Sequence, residues 1–330
     1  MFKKPVLIAE IGGNHQGDFG KAIELVDMAL ECRVDMVKLQ TYFADTLVEK
    51  SYSPERWSHF KKFELTIEQH VQLAERITKA GKQYLSSIWD AESYRHLEEY
   101  LKYVKIGSGD AVCQTFLERA AKTSKPIILS TGLCDLEEVS SSIDILRSTN
   151  SFYEKRENIY LLQCTAMYPI PLEESNLAIM SKYREFGCMV GYSDHTVGNF
   201  ALEVASVMGA DMLEFHFTDD KENETFRDHR VSLDAADVET LVDYLGDVTT
   251  VVGSNVKEPT SSEMENGHVA SFRRGAYLNK NLVNGSVIKA SDLIEKRPMN
   301  DGLTYSELIG KKLSKDLKKG DAVEQDNIHA

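Results

Sequence analysis

Along the chain, short apolar runs rich in β-branched residues alternate with stretches whose hydrophobic positions recur at helical spacing. Eight runs read as strands: PVLIAEIG (5–12), MVKLQT (36–41), YLSSI (84–88), YVKIGS (103–108), PIILST (126–131), IYLLQCT (159–165), MVGYSD (189–194) and MLEFHFT (212–218). Amphipathic segments lie between them, among them KAIELVDMALE after the first run, TIEQHVQLAERITKAG after the second and DAADVETLVDYLGDVTTVVG after the eighth. Thr66 with Gln69 three residues on predicts a capping box, and Gly81 a helix stop. Eight strand and helix units in about 250 residues predict an α/β TIM barrel, with a doubly wound sheet as the alternative. The barrel is favoured because the polar residues of almost every run fall at its C-terminal end, the face on which such barrels build sites.

This predicts a catalytic barrel over residues 1–252. Residues 253–271, polar and without clear period, read as a linker. Within 272–330, LVNGSVIKASDL (282–293) and LKKGDAVEQDNI (317–328) share Leu, then Gly three on, then Val or Ile, then Asp or Asn before an apolar residue. The repeat predicts two similar strand-turn units in a small β-rich module.

Composition narrows the function. The 330 residues carry 38 Lys and Arg against 52 Asp and Glu, a net charge of −14, which disfavours nucleic acid and anionic membrane as partners and favours a small molecule. Residues 272–330 hold 11 basic against 8 acidic residues (+3), so residues 1–271 hold 27 against 44 (−17). No apolar run reaches the roughly 18 residues of a membrane helix. Glu10 interrupts the short apolar start and no small-residue cleavage pattern follows, so a cytoplasmic protein is expected. The five cysteines are scattered without a CxxC pair and read as small core residues in a reducing compartment.

Against that acidic background, Lys38 and Lys105 sit inside apolar strands. A buried ammonium requires an anionic partner or loses its proton. With Ser108, Ser130 and Ser193 at other strand ends, and the two glycines of KIGSGD, the lysines predict a local positive pocket for a phosphate or carboxylate; an exposed edge or a structural ion pair is the alternative. His195 and His216 end the seventh and eighth runs, neighbours in a barrel, and together suit Mn²⁺, Fe²⁺ or Zn²⁺ with oxygen ligands or water completing the shell. Asp228 and His229 follow as extra ligands or substrate contacts. Glu10 points inward by alternation, either to pair with Lys38 or to bind a hydroxyl or transfer a proton. Asn14 and His15 are expected as polar walls, and Tyr168 as a hydroxyl donor or a packing aromatic.

In order and spacing, IAEIGGNHQGD, VKLQTY, KIGSGD, ILSTG, LLQCTAMYP, GYSDHT, EFHFT and DHRVSL resemble the sialic acid synthases, the N-acetylneuraminate synthase family that includes pseudaminic and legionaminic acid synthases. RRGAYLNKNLVNGSVIKASDLIEKRP resembles their C-terminal antifreeze-like (SAF) domain. The resemblance implies a transferase that joins phosphoenolpyruvate to the aldehyde of an open-chain N-acetylated hexosamine, giving a nine-carbon 2-keto acid and phosphate. The enol carbon attacks the aldehyde, water captures the electron-poor carbon left behind, and phosphate departs with C–O cleavage. By motif, His195 and His216 would hold a divalent metal, Mn²⁺ by preference with Mg²⁺ or Co²⁺ as alternatives. Lys38, Lys105, Ser108, Ser130 and Ser193 would hold phosphoenolpyruvate beside Tyr168. Glu10, Gln40 and Asp228 would face the sugar hydroxyls, with Glu10 a candidate for proton transfer, and Asp110 would be a further substrate contact. Arg297 in EKRP would reach the partner's site in a domain-swapped homodimer. Asp110 stands where many members carry Glu, and Ala166 where neuraminate synthases often carry Asn, which leaves N-acetylmannosamine and a 6-deoxy-diacetamido sugar both open as acceptor. A barrel synthase using a sugar-phosphate acceptor and a non-catalytic sugar-binding barrel are the competing readings.

Overall fold

In a computed structural model, residues 3–224, 226–299 and 303–329 are described. The chain divides into two compact units, Met1–Gly253 and Ser254–Ala330.

The first unit is a closed parallel barrel of eight strands: β1 (Val6–Glu10), β2 (Met36–Thr41), β3 (Gln83–Ile88), β4 (Val104–Ile106), β5 (Ile127–Ser130), β6 (Ile159–Cys164), β7 (Met189–Asp194) and β8 (Met212–His216), with β8 pairing back onto β1. Every predicted run contains a strand. The fourth is shorter than expected because Ser108–Asp110 turns into a 3₁₀ segment. Helices occupy the intervals, and the capping box at Thr66 is formed: its hydroxyl accepts from the Gln69 amide while the Gln69 side chain accepts from the Thr66 amide.

Period-two alternation explains the interior. Ile8, Met36, Leu85, Ile128, Leu162 and Met212 fill the lumen as an apolar plug. Two residues further along the same strands, on the same face, stand Glu10, Lys38, Ser87, Ser130, Cys164 and Glu214, so the lumen changes from hydrocarbon to polar groups within one pleat. The opposite parity, including Leu7, Val37, Leu39 and Leu129, packs outward into the main core with the helices.

In the second unit the repeat is structural. The two segments are offset by 35 residues (317 minus 282), and their backbone bonds follow the same offset. The Leu282 and Leu317 amides each donate to the other's carbonyl at 2.9 Å. Gly285 donates to Leu313 O (2.8 Å) as Gly320 does to Leu278 O (2.9 Å), and Ile288 to Lys311 O as Val323 does to Ala276 O. Each copy ends in a 3₁₀ turn closed by its own side chain, Asp292 accepting from the Lys289 amide and Asn327 from that of Glu324. The result is a pseudo-twofold module around Leu278, Ile288, Leu313 and Val323. Among the described residues only β9 (Gly275–Leu278) and β10 (Leu293–Lys296) form an extended pair, the other pairings being single bridges.

Two expectations need correction. Residues 253–271 contain two short helices, Ser261–Glu265 and His268–Ser271, the first started by a Thr260–Glu263 capping box that a reading for periodicity alone overlooks. Of the cysteines, Cys32, Cys164 and Cys188 are buried, but Cys113 is exposed and Cys134 half-exposed, so these two are not core residues.

Gly191 marks how tightly the lumen is filled: a Cβ there would strike the Met212 carbonyl and come within 2.5 Å of Leu162 Cδ2. Gly191→Ala should therefore destabilise the barrel by about 1–3 kcal/mol through overpacking, read as a lower denaturant midpoint at unchanged slope.

Candidate active site

The polar layer of the lumen opens into a cavity of about 1110 Å³ at the C-terminal ends of the strands. Glu10, Lys38, Gln40, Lys105, Ser108, Asp110, Ser130, Tyr168, Ser193, His195, His216 and Asp228 all line it. Arg297 does not: it lies in the second unit, its guanidinium 6.0 Å from the centre of the Phe272 ring.

The two lysines are sealed from water and each has a carboxylate. Lys38 Nζ lies 2.6 Å from Glu10 Oε2, its register partner across the β1–β2 pair. That oxygen makes no aligned hydrogen bond, so charge rather than direction holds the pair, while Gln40 Nε2 donates to Glu10 Oε1 at 2.8 Å. Lys105 reaches across the lumen to Glu214 Oε1 (3.4 Å) and donates to Ser130 Oγ (2.6 Å); Ser193 donates to the same Glu214 oxygen at 3.0 Å. Burial pushes the Lys105 ammonium below the ordinary lysine range, and although burial also works against Glu214, the two ammonium groups hold its carboxylate below the usual range. Lys38 is held up by Glu10 and Glu214 despite its burial. The expected positive pocket is therefore corrected to two neutral ion pairs, because an ammonium stripped of water is retained only with a counter-charge.

Opposite the lysines, the His195 and His216 rings lie with centroids 5.3 Å apart. His195 Nδ1 is 2.7 Å from the Thr165 carbonyl, which can only accept, so Nδ1 carries the proton and Nε2 keeps a free lone pair. His216 Nδ1 is buried without a hydrogen-bond partner, 3.8 Å from Asp228 Oδ2. Burial lowers both imidazoles below the ordinary histidine range, and the cations Lys38, Arg227 and Lys105 nearby lower His216 further. Two neutral imidazoles with an orphaned nitrogen fit a divalent cation. Among the described residues no group of three or more His, Cys, Asp or Glu converges, so water and substrate oxygens would complete the shell.

Tyr168 packs on His195 (ring centroids 4.0 Å) and meets His216 edge-on (5.6 Å), with the Arg227 guanidinium 4.7 Å from its ring centre. Ser108 Oγ accepts from the Gly132 amide at 3.0 Å, tying the turn after β4 to the loop after β5. Trp89 Nε1 donates to Asp110, whose carboxyl is raised by burial.

Three expected contacts are displaced. Asn14 donates to Phe217 O and Ser232 Oγ (both 2.9 Å), and His15 Nδ1 accepts from the Gly17 amide, so the GGNHQGD turn clamps the loop after β8 instead of walling the cavity. His229 is fully buried against Thr218 Oγ1 (2.6 Å) and does not line the cavity. Conversely, Glu214, Trp89 and Arg227 were not singled out. Glu214 was detectable by the rule that found Glu10, a carboxylate inside an apolar strand two residues before a site histidine. The segment after β2 supplies a wall, notably Tyr42, Phe60 and Phe63.

The comparisons agree with this geometry. A family model described as the NeuB family matches residues 25–257, well over half of the chain. The chain belongs to the NeuB family. It is 37% identical to the N,N'-diacetyllegionaminic acid synthase of Legionella pneumophila over 98% of this chain and 94% of that one. To the pseudaminic acid synthase of Campylobacter jejuni it is 32% identical, over 98% and 96%. The crystal structure of the N-acetylneuraminic acid (sialic acid) synthetase of Leptospira borgpetersenii in complex with citrate superimposes with a TM-score of 0.72 at 26% identity, covering 80% of this chain and 90% of that one. No described helix of this NeuB-family chain is long and apolar enough to cross a membrane.

One titration follows from the site. Burial raises the Asp228 carboxyl from 3.8 to about 6. A carboxyl raised in the folded state makes the fold lose stability as pH rises between its unfolded and folded values, with the loss complete above the latter. Asp228→Asn lacks this penalty. Its stability relative to wild type should climb from about pH 4 to about pH 6, by on the order of 2–3 kcal/mol, and stay level above, as measured by urea unfolding across that range.

Proposed function

We propose that the chain condenses phosphoenolpyruvate with the open-chain form of an N-acetylated amino sugar, giving a nonulosonic acid and phosphate. The observation that carries this reading is one cavity that brings together two buried lysines, three serines and two imidazoles, in a NeuB-family barrel whose relatives are named legionaminic and pseudaminic acid synthases.

Lys38 and Lys105, with Ser108, Ser130 and Ser193, bind the phosphate and carboxylate of phosphoenolpyruvate and exclude water from the enol carbon. A divalent cation, Mn²⁺ by preference, held by His195 Nε2 and His216 would supply Lewis-acid polarisation of the aldehyde. Gln40, Asp110 and Asp228 orient the sugar hydroxyls and amides. Glu10, fixed between Lys38 and Gln40, is placed to hold or hand on a proton at the nascent hydroxyl. Tyr168 packs against both imidazoles and keeps that side of the cavity dry. Mg²⁺ and Co²⁺ are alternative ions on the same nitrogens.

The second unit is, in this reading, the antifreeze-like domain, and Arg297 completes the site of a partner chain in a domain-swapped homodimer. Two observations support it. Residues 272–330 carry +3 against −17 on residues 1–271. The loops after β4 to β7 expose Val112, Leu133, Met167, Val197 and Phe200, each more than half accessible, on the barrel face that bears the cavity. Cytoplasmic residence belongs to the same reading, as the place where phosphoenolpyruvate is available.

Phosphate should be released only when phosphoenolpyruvate, Mn²⁺ and an acetamido hexose are all present, with mass spectrometry identifying a nine-carbon acid. No release across a panel that includes N-acetylmannosamine and 2,4-diacetamido-6-deoxy hexoses would refute the reading. His216→Ala should stay folded and lose Mn²⁺ binding by calorimetry; retained affinity would overturn the ligand assignment. For the shared site, Arg297→Ala and Lys105→Ala subunits, each inactive alone, should regain activity in mixed dimers, which carry one intact site of the two. Verified heterodimers without recovery would exclude the swap.

A further inference from the structure

An anionic substrate faces an electrostatic obstacle in this protein. Residues 1–271 carry −17, and the lysines at the cavity floor are already matched by Glu10 and Glu214. Favourable charge for an approaching anion must come from elsewhere.

It is found on one rim of the mouth. The helix Pro54–Phe63, in the segment after β2, carries Arg56, His59 and Lys62 at successive spacings of three, and Arg56 and His59 line the cavity. Arg227, from the loop after β8, lines it too. The His59 ring stacks on Phe226 at 5.9 Å, which joins the two segments, and Phe63 packs on the same Phe226 at 4.9 Å. The pKa of His59 is lowered by burial and by Arg227, Lys62 and Arg56, so these three cations share its neighbourhood.

What distinguishes them is what they rest on. Lys61, the next residue along the same helix, is paired with Glu64 and Asp45. Arg56, Lys62 and Arg227 instead sit near aromatic faces, 5.7 Å from Phe60, 5.7 Å from Phe63 and 4.7 Å from Tyr168. An aromatic face holds a cation in place without cancelling its charge. Among the described residues Arg56 and Lys62 form no ion pair, and Arg227 has only Asp228 at 3.3 Å. The rim carboxylate of Glu49 is engaged by the amide (3.2 Å) and hydroxyl (2.6 Å) of Ser51.

We propose that Arg56, Lys62 and Arg227 form an anion-capture site at the cavity mouth that draws phosphoenolpyruvate in from solution before Lys38 and Lys105 receive it. The inference rests on the condensation reading above. Its signature is kinetic: charges outside the reacting centre accelerate encounter with a charged substrate, do so less as salt rises, and leave a neutral partner unaffected.

The test replaces Arg56 and Lys62 together by Gln and leaves Arg227 intact, since it touches Tyr168 and Asp228. At low salt, kcat/KM for phosphoenolpyruvate should fall roughly three- to tenfold, within the range that steering fields produce. The gap to wild type should close as ionic strength rises from about 20 mM to about 300 mM, over which the Debye length falls from about 20 Å to about 6 Å. kcat/KM for a neutral amino sugar should hold, and the charge-conserving pair Arg56→Lys and Lys62→Arg should restore the salt slope. Equal salt slopes in the Gln variant and wild type would overturn the capture site while wild-type turnover still upheld the condensation. A loss that falls on the acceptor, or on a phosphorylated acceptor instead of phosphoenolpyruvate, would overturn it as well.

Discussion

Two ammonium groups and two carboxylates sealed in the lumen of one barrel set the terms for everything around them. Lys38 and Glu10 are neighbours in register, whereas Lys105 and Glu214 meet across the lumen, so the pairs tie β1 to β2 and β4 to β8. Such pairs are weak grounds for stability, since hydrocarbon of the same volume would do as well or better and the loss of one partner costs about 3–5 kcal/mol. One pleat below, that hydrocarbon is present, as Ile8, Met36, Leu85, Ile128, Leu162 and Met212. The fold therefore keeps its apolar plug for stability and spends the next layer on charge, where charge can reach a ligand.

The neutrality of those pairs bears on chemistry. An anion that enters the lumen must compete with Glu10 and Glu214 for the same ammonium groups, so the lysines cannot bind phosphate as free cations would. In the proposed reading they would bind it by exchange, in a geometry fixed beforehand, and the carboxylates they leave would then be available to hold or accept protons. The neutral imidazoles across the cavity have the complementary property, lone pairs kept unprotonated by burial and by the positive charge nearby. A cation taken there would offset the anion's charge. The two sides of the cavity are thus coupled by electrostatics without touching.

Much of this was legible in the sequence because a parallel barrel converts spacing into place. A lysine or carboxylate inside an apolar run, at the parity of the lumen, has nowhere else to go, and Glu10, Lys38, Lys105, His195 and His216 were found in this way. Glu214 obeys the same rule, a carboxylate at the parity of the lumen two residues before His216. The 35-residue repeat of the second unit was legible for a related reason: each Leu, Gly and Asp or Asn occupies a position whose backbone bond recurs in the other copy. Loops gave no such leverage. Asn14, His15 and His229 are polar residues near strand ends, yet they satisfy backbone and side-chain groups behind the cavity, and only the three-dimensional path of the GGNHQGD turn decides that. The wall built by the segment after β2 was invisible for the converse reason, since aromatic residues at helical spacing look like core.

This division between strands and loops also separates positions locked by register from positions free of it. The strand ends hold the groups that a three-carbon anion and an aldehyde require, and those groups are locked by register and by one another. The surfaces that would meet the rest of the acceptor in the proposed reading, Trp89 with Asp110, Tyr42 with Phe60, and Ala166, stand outside the strands, Phe60 in the helix Pro54–Phe63. Trp89 fixes the shorter carboxylate of Asp110 in a partly buried position, and Ala166 presents a methyl where an amide would compete for hydrogen bonds. Of the two, the missing amide at Ala166 makes the cavity wall less polar, while Asp110 keeps a carboxylate one methylene shorter than Glu. A sugar carrying acetamido methyls and a deoxy carbon loses less by entering such a site than a fully hydroxylated one, because each unmatched hydroxyl would forfeit a hydrogen bond to water. Within the proposed condensation, desolvation at these positions would weigh on the choice of acceptor, while the strand ends would hold the groups at which the bond is made.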